Sequence, residues 1–210
     1  QYSVLPETFF KGIFKLAPAH SILFKDGKVE INRYWEADFD IDENADLDTL
    51  IDKIDEQMQE SVQAHLISDV EVGSLLSSGI DSSYIATVSK AAKTFTVGFA
   101  YDKYNEISYA QDLSEKVGTK NYSKLITEEE YWSVLPEIQY YMDEPLADAS
   151  CVALYFVDKT AAEHVKVVLS GEGADEFFGG YNIYHEPVSL QGYQKVPKFL
   201  RRMAGAIAEN

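Results

Sequence analysis

From Val70 onward, short apolar runs alternate with longer amphipathic stretches, and this alternation constrains the fold of the 210-residue chain more than any other feature. Val70 to Leu76 reads as a strand and Asp81 to Lys93 as a helix. Thr94 to Phe99 is a second strand, Ile107 to Val117 a second helix, and Tyr122 to Ile126 a short third strand. Glu129 to Tyr141 and Val152 to His164 read as helices. Val165 to Leu169 is a compact β-branched run, expected as a buried strand. Such alternation specifies an α/β fold, a mainly parallel sheet with helices on both faces. Ligands in these folds sit at the carboxyl ends of the strands, near the point where strand order reverses.

The first part of the chain has a different grain. Ala19 to Phe24, then Asp26-Gly27, then Val29 to Tyr34 predict two strands around a tight turn, with Pro6 and Pro18 punctuating the approach. Asp38 to Asp48 is acidic and short of large apolar residues, as a linker is. Asp46 or Asp48 is placed to cap a helix that follows. There Leu47, Leu50, Ile51, Ile54, Met58, Val62 and Leu66 recur at three- and four-residue steps, predicting one long amphipathic helix.

Charge and composition exclude some classes of function. With 18 basic and 35 acidic residues the formal net charge is −17. A nucleic-acid partner is not expected, because phosphate contacts need clustered Lys and Arg. No apolar run approaches the roughly 18–20 residues that span a bilayer, so no membrane partner is expected either. The single cysteine, Cys151, excludes an internal disulfide and fits a reducing, cytoplasmic setting. Its apolar neighbours predict a buried, inert thiol. The histidines are scattered without metal-ligand spacing. Tyr101, Tyr104, Tyr109, Tyr140 and Tyr141 are expected to pack helices rather than stack nucleobases.

Two stretches carry chemistry. Ser77-Ser78-Gly79-Ile80-Asp81-Ser82-Ser83 follows the strand ending Leu75-Leu76 and opens a helix. The first helical N–H groups lack intrahelical partners and the helix N-terminus is partly positive, so a small-residue turn there lets the backbone wrap a phosphate. The serines add hydroxyl donors, and Asp81 is a carboxylate suited to Mg²⁺. The plain alternative is a strand-to-helix turn with a Ser or Asp cap and no ligand. The second stretch, Ser170-Gly171-Glu172-Gly173-Ala174-Asp175-Glu176-Phe177-Phe178-Gly179-Gly180-Tyr181, follows the strand Lys166 to Leu169. Glycines beside carboxylates at a strand end suit close approach to a ligand and a metal. Here the alternative is a Gly-rich turn before a short helix.

The first stretch resembles the pyrophosphate-binding loop, Ser-Gly-Gly-x-Asp-Ser, of the ATP pyrophosphatases (the PP-loop superfamily). The second resembles the Ser-Gly-Glu-Gly-x-Asp-Glu-x-Phe-x-Gly-Tyr signature of glutamine-hydrolysing asparagine synthetases. Met142-Asp143-Glu144-Pro145-Leu146-Ala147-Asp148 and Thr96-Val97-Gly98-Phe99 strengthen that likeness, which runs from Pro6 to about Tyr184. The resemblance implies an adenine-nucleotide α-hydrolase-like fold. Residues 1–38 would be the closing strands of a glutaminase domain with its linker, and residues 39–210 the N-terminal portion of the ATP-dependent synthetase domain. It implies ATP and Mg²⁺ as cofactors, L-aspartate as substrate, the glutaminase domain of the same full-length protein as partner, and it admits a homodimer.

Residue by residue, the resemblance assigns Ser77, Ser78, Gly79, Asp81 and Ser82 to the pyrophosphate and its magnesium. Leu76 would lie against the nucleotide, and Val97 would meet the adenine, its backbone reading the base edge. Ser170 and Gly171 would touch the adenylate, and Glu172 would act at the β-aspartyl adenylate step. Asp175 would be a magnesium ligand opposite Asp81. Both loops follow strands expected to be buried and both carry carboxylates, so they are expected side by side at the carboxyl edge of the sheet.

The chain departs from the family pattern in three places. Ser78 stands where the family has glycine, adding bulk near the phosphates and costing about 1–2 kcal/mol if the backbone there needs positive φ. Gln1 is not the cysteine nucleophile of a glutaminase, and neither the later lysine nor the arginine-containing segment of the family maps onto the chain. These departures motivate a rival from another class, a catalytically silent nucleotide-binding module. Another rival is a folding fragment with no ligand affinity. Within the enzymes the rival is a related amidating or β-lactam-forming synthetase. The leading expectation is a truncated piece of an asparagine synthetase, the isolated piece inactive.

Overall fold

The computed structural model describes residues 4–42, 44–100, 105–185, 188, 190–198 and 201. Strands β1 (His20–Lys25) and β2 (Lys28–Arg33) pair antiparallel around Asp26-Gly27. Both turn residues have positive φ, 51° and 75°, the conformation a two-residue hairpin turn requires. This hairpin is a sheet of its own. Most of its side chains face solvent, Ile22, Phe24, Val29 and Ile31 among them.

Helix α1 (Leu47–His65) starts at Asp46, not Asp48: the Asp46 carboxylate accepts the Thr49 N–H at 3.0 Å. That bond holds the Asp46 carboxyl below its usual range. The expected apolar stripe is present but only its C-terminal end is covered. Val62 is buried, whereas Leu47 remains 70% exposed.

The remaining elements alternate as the sequence predicts. They are β3 (Val72–Leu75), α2 (Ile80–Ser89), β4 (Lys93–Phe99), α3 (Ile107–Val117), β5 (Lys120–Ile126), α4 (Glu128–Tyr141), α5 (Ser150–Ala162), β6 (Val167–Leu169) and α6 (Ala174–Phe178). The four strands of the main sheet are parallel, in the order β5-β4-β3-β6. The chain thus steps outward from β3 through β4 to β5, then crosses back to lay β6 on the other side of β3. Strand order reverses between β3 and β6.

Side-chain alternation along β4 explains why both faces are covered. Phe95 packs with Val157, Ala161 and Val165, joined by Val97, so α5 closes one face. Thr94 and Thr96 point to the other face. There the Thr94 hydroxyl lies 2.8 Å from that of Ser114 on α3, and Leu76, Ala86 and Ala110 make a small apolar cluster. Polar side chains bond one another across this second face, although the buried Asn121 Oδ1 has no partner among the described residues. Asn121 Nδ2 lies 3.0 Å from both Thr94 Oγ1 and Thr96 Oγ1, and the Thr96 hydroxyl donates to the Leu76 carbonyl at 2.8 Å. Tyr84 of α2 donates to Asp55 of α1 at 2.6 Å. Desolvation and the adjoining carboxylate push the Tyr84 phenol up to about 12.

Three expectations are corrected. Strand β6 is not fully buried: it is paired on one side only among the described residues, and Val167 is exposed. Cys151 is half-buried rather than enclosed, its thiol donating to the Asp148 carbonyl at 2.8 Å. Tyr109, Tyr140 and Tyr141 are exposed, the last two by 77% and 73%, and form no helix-packing core. Tyr101 and Tyr104 lie outside the described residues. No helix is long and apolar enough to cross a membrane among the described residues.

Candidate functional site

Strand β3 ends by handing its last backbone groups to β4. Leu76 donates its N–H to the Phe95 carbonyl at 2.8 Å, and its own carbonyl takes the Thr96 hydroxyl. With Leu76 pinned and buried, the chain turns sharply through Ser77, Ser78 and Gly79 into α2. Serine hydroxyls close this turn. Ser82 Oγ accepts the Ser77 N–H at 3.0 Å, the two hydroxyls lie 2.8 Å apart, and Ser77 Oγ accepts the Gly79 N–H at 3.1 Å. Helix α2 begins with Gly79 as its cap and no side-chain cap bond, so Asp81 sits in an electrostatically positive first turn.

The turn after β6 is shaped by glycines. Gly173, with φ of 93°, opens α6, and Gly179, with φ of 68°, ends it. Asp175 and Glu176 lie in its first turn. The Gly180 N–H returns to the Asp175 carbonyl at 3.0 Å, so close that a Cβ at Gly180 would strike the Asp175 carboxylate. Tyr181 donates to Glu176 at 3.1 Å, and that bond to a carboxylate raises its phenol above the usual range.

The two turns touch. Because β3 and β6 are neighbours, Gly171 lies directly against Asp81 and Ser82. A Cβ built at Gly171 would stand 2.8 Å from the Ser82 nitrogen and 2.9 Å from the Asp81 carbonyl carbon. The expected juxtaposition of the Ser77 and Ser170 turns is therefore present.

Between them opens a cleft of about 490 Å³, a size that suits a small organic ligand. Leu76, Ser77, Gly79, Asp81, Ser82, Val97, Ser170, Gly171, Glu172 and Asp175 all line it. Its apolar side is Phe95, Val97 and Phe99 of β4 with Leu154 and Val157 of α5. Strand alternation sends the peptide groups of Val97 the same way as those of Phe95, past the point where β3 has already turned away.

Ser78 is the exception among the expected residues. It is exposed and does not line the cleft. Its backbone does not take the positive φ that would strain a serine, since the described non-glycine residues with positive φ are Ala19, Asp26, Lys90 and Asp143. Its N–H instead donates to Glu106 Oε2 at 3.2 Å. Glu106, at the start of α3 and lining the cleft, escaped the sequence reading. The available signal was a carboxylate between a β4 strand end and the following helix, where parallel sheets place ligand groups. No residue of the Met142–Asp148 stretch lines the cleft. Gln139 clamps Leu146 through both amide groups at 3.1 Å, and Asp148 accepts the Ser150 N–H and hydroxyl.

The donor set fits magnesium held through phosphate better than a protein-only cage. No group of three or more His, Cys, Asp or Glu residues is placed to hold a metal among the described residues, while Asp81 and Asp175 line one cleft from its two turns. Mg²⁺ is commonly held by one or two carboxylates plus substrate phosphates and water.

The asparagine synthase family matches residues 53–209. Asparagine synthetase [glutamine-hydrolyzing] 1 of Bacillus subtilis is 41% identical over 208 residues, 97% of this chain and 33% of the relative. A putative asparagine synthetase [glutamine-hydrolyzing] of Mycobacterium tuberculosis is 39% identical over all of this chain and 33% of its own length. The chain thus spans about a third of these relatives. Among solved structures, the NH3-dependent NAD synthetase from Campylobacter jejuni in complex with the nitrate ion is 18% identical. It covers 62% of this chain and 60% of its own, with a TM-score of 0.41. On the match over residues 53–209 and the identities across nearly its whole length, the chain belongs to the asparagine synthase family.

Proposed function

We propose that the cleft binds ATP and that the protein carrying this chain adenylates the β-carboxylate of L-aspartate, then amidates it with glutamine-derived ammonia. The products are L-asparagine, AMP and pyrophosphate. The observation that carries this reading is the contact of Gly171 with Asp81 and Ser82, which joins an anion-suited turn and a carboxylate-bearing turn around one cavity. Ser77, Gly79 and Ser82 would cradle the pyrophosphate, with Ser78 contributing only its N–H. Leu76 and Val97 would meet the adenine, the open peptide edge of Val97 reading its rim. Ser170 and Gly171 would flank the adenylate.

Mg²⁺ held by Asp81 and Asp175 would neutralise the pyrophosphate leaving group. The chain's own part is alignment: the substrate carboxylate attacks the α-phosphorus in line with the departing pyrophosphate. Glu172, at the mouth between the turns, is suited to orient the amine and take its proton as ammonia attacks the acyl adenylate. Residues 1–38 are proposed to belong to a glutaminase domain, a reading supported by their separate, largely exposed hairpin. A cytoplasmic location is part of the same proposal.

The 210 residues alone are expected to make no asparagine even with ammonia supplied, since the later lysine that the family resemblance requires maps to none of them. In the full-length protein, label should pass from pyrophosphate into ATP only when aspartate is present. Aspartate-independent exchange, or none, would count against the adenylation reading.

A further inference from the structure

Each amide of the Ser77–Gly79 turn already has a partner. Two of the partners are neutral hydroxyls, Ser82 Oγ from the first turn of α2 on Ser77 and Ser77 Oγ on Gly79. The third is different in kind. The Ser78 N–H donates to a carboxylate oxygen of Glu106, a residue 28 positions away on another element.

Glu106 is half-buried and lines the cleft. It occupies the cap position of α3 but makes no side-chain cap bond there, reaching across to the turn instead. No described Lys or Arg pairs with it. At 3.2 Å the bond is long for a charged acceptor, for which about 2.7–2.9 Å is usual. It is therefore a contact that a better anion can replace.

We propose that Glu106 is a placeholder for phosphate: in the free protein its carboxylate occupies the Ser78 amide, and the incoming pyrophosphate group displaces it. This rests on the reading of the cleft as a pyrophosphate site. One N–H cannot serve a carboxylate and a phosphate oxygen at full strength, and two anions at that spacing repel. Glu106 thus keeps the turn shaped when empty, at the expense of affinity, and swings away when the site fills. The anion contact of Ser78 is made by its backbone and withheld by Glu106.

The test is calorimetric titration with pyrophosphate, in excess magnesium, of the protein and its Glu106→Ala and Glu106→Asp variants. Aspartate keeps the charge but is one carbon too short to reach Ser78. Both variants should bind about tenfold tighter, and the Ser78 amide resonance should already be displaced in both before ligand is added. Should Glu106→Asp behave as wild type while Glu106→Ala tightens, general charge and not this contact is at work, and the placeholder is overturned. Equal or weaker binding by both variants overturns it too, leaving the pyrophosphate reading intact. Binding by none of the three removes that reading and the placeholder with it.

Discussion

Gly171 and Ser82 are in backbone contact: a Cβ added to Gly171 would stand 2.8 Å from the Ser82 nitrogen. Nothing flexible lies in the way, since the two nearest opposing atoms are main chain of the first turn of α2 and the third is the Asp81 Cβ. An alanine there must push the two turns apart. Gly171→Ala should cost about 1–3 kcal/mol of stability, the usual range for overpacking. It should also lower affinity for magnesium pyrophosphate by at least about tenfold. Urea unfolding and calorimetry on the same preparation check both. Unchanged affinity with reduced stability would mean that the turns do not share a ligand.

Ser78→Gly should change pyrophosphate affinity by no more than about twofold, under 0.5 kcal/mol. The sequence suggested relief of crowding or strain. In the structure the side chain is exposed, outside the cleft lining, and the backbone is not in the left-handed region. Only the N–H faces the site, and glycine retains it. A tenfold gain measured by calorimetry would show that the serine side chain does reach the phosphates.

How much of this was legible beforehand depended on range. The strand–helix alternation, the Asp26-Gly27 turn and the small-residue turns after β3 and β6 are local patterns, and each was readable. The adjacency of the turns was expected because both follow apolar strands and both carry carboxylates, and the pairing of β3 with β6 provides it. Glu106 was not, because its role depends on a contact spanning 28 residues that no periodicity encodes. The exposure of β6 was missed for a related reason. A β-branched run looks the same in a central strand and at an edge, and only pairing distinguishes them. Helix packing by Tyr140 and Tyr141 was preferred because the acidic charge disfavours nucleobase stacking, and net charge does not decide which way a helix faces.

Thr96→Val should destabilise the protein by about 1–3 kcal/mol, because a buried hydroxyl is replaced by an isosteric methyl and its partners each lose a hydrogen bond. Those partners are the Leu76 carbonyl and the Asn121 amide, and the first fixes the residue from which the Ser77 turn departs. The urea midpoint should fall with an unchanged slope. No change in midpoint would show that Leu76 needs only its backbone bond to Phe95.

The central claim is that the Ser77 and Ser170 turns form one nucleotide site. Titrating the chain with ATP in excess magnesium, alongside its Asp81→Ala and Asp175→Ala variants, tests it most directly. The account predicts a single site in the wild type, weakened by about tenfold or more in either variant, with the magnesium dependence of binding reduced in both. Binding of ATP that is indifferent to both substitutions, or to magnesium, would contradict it.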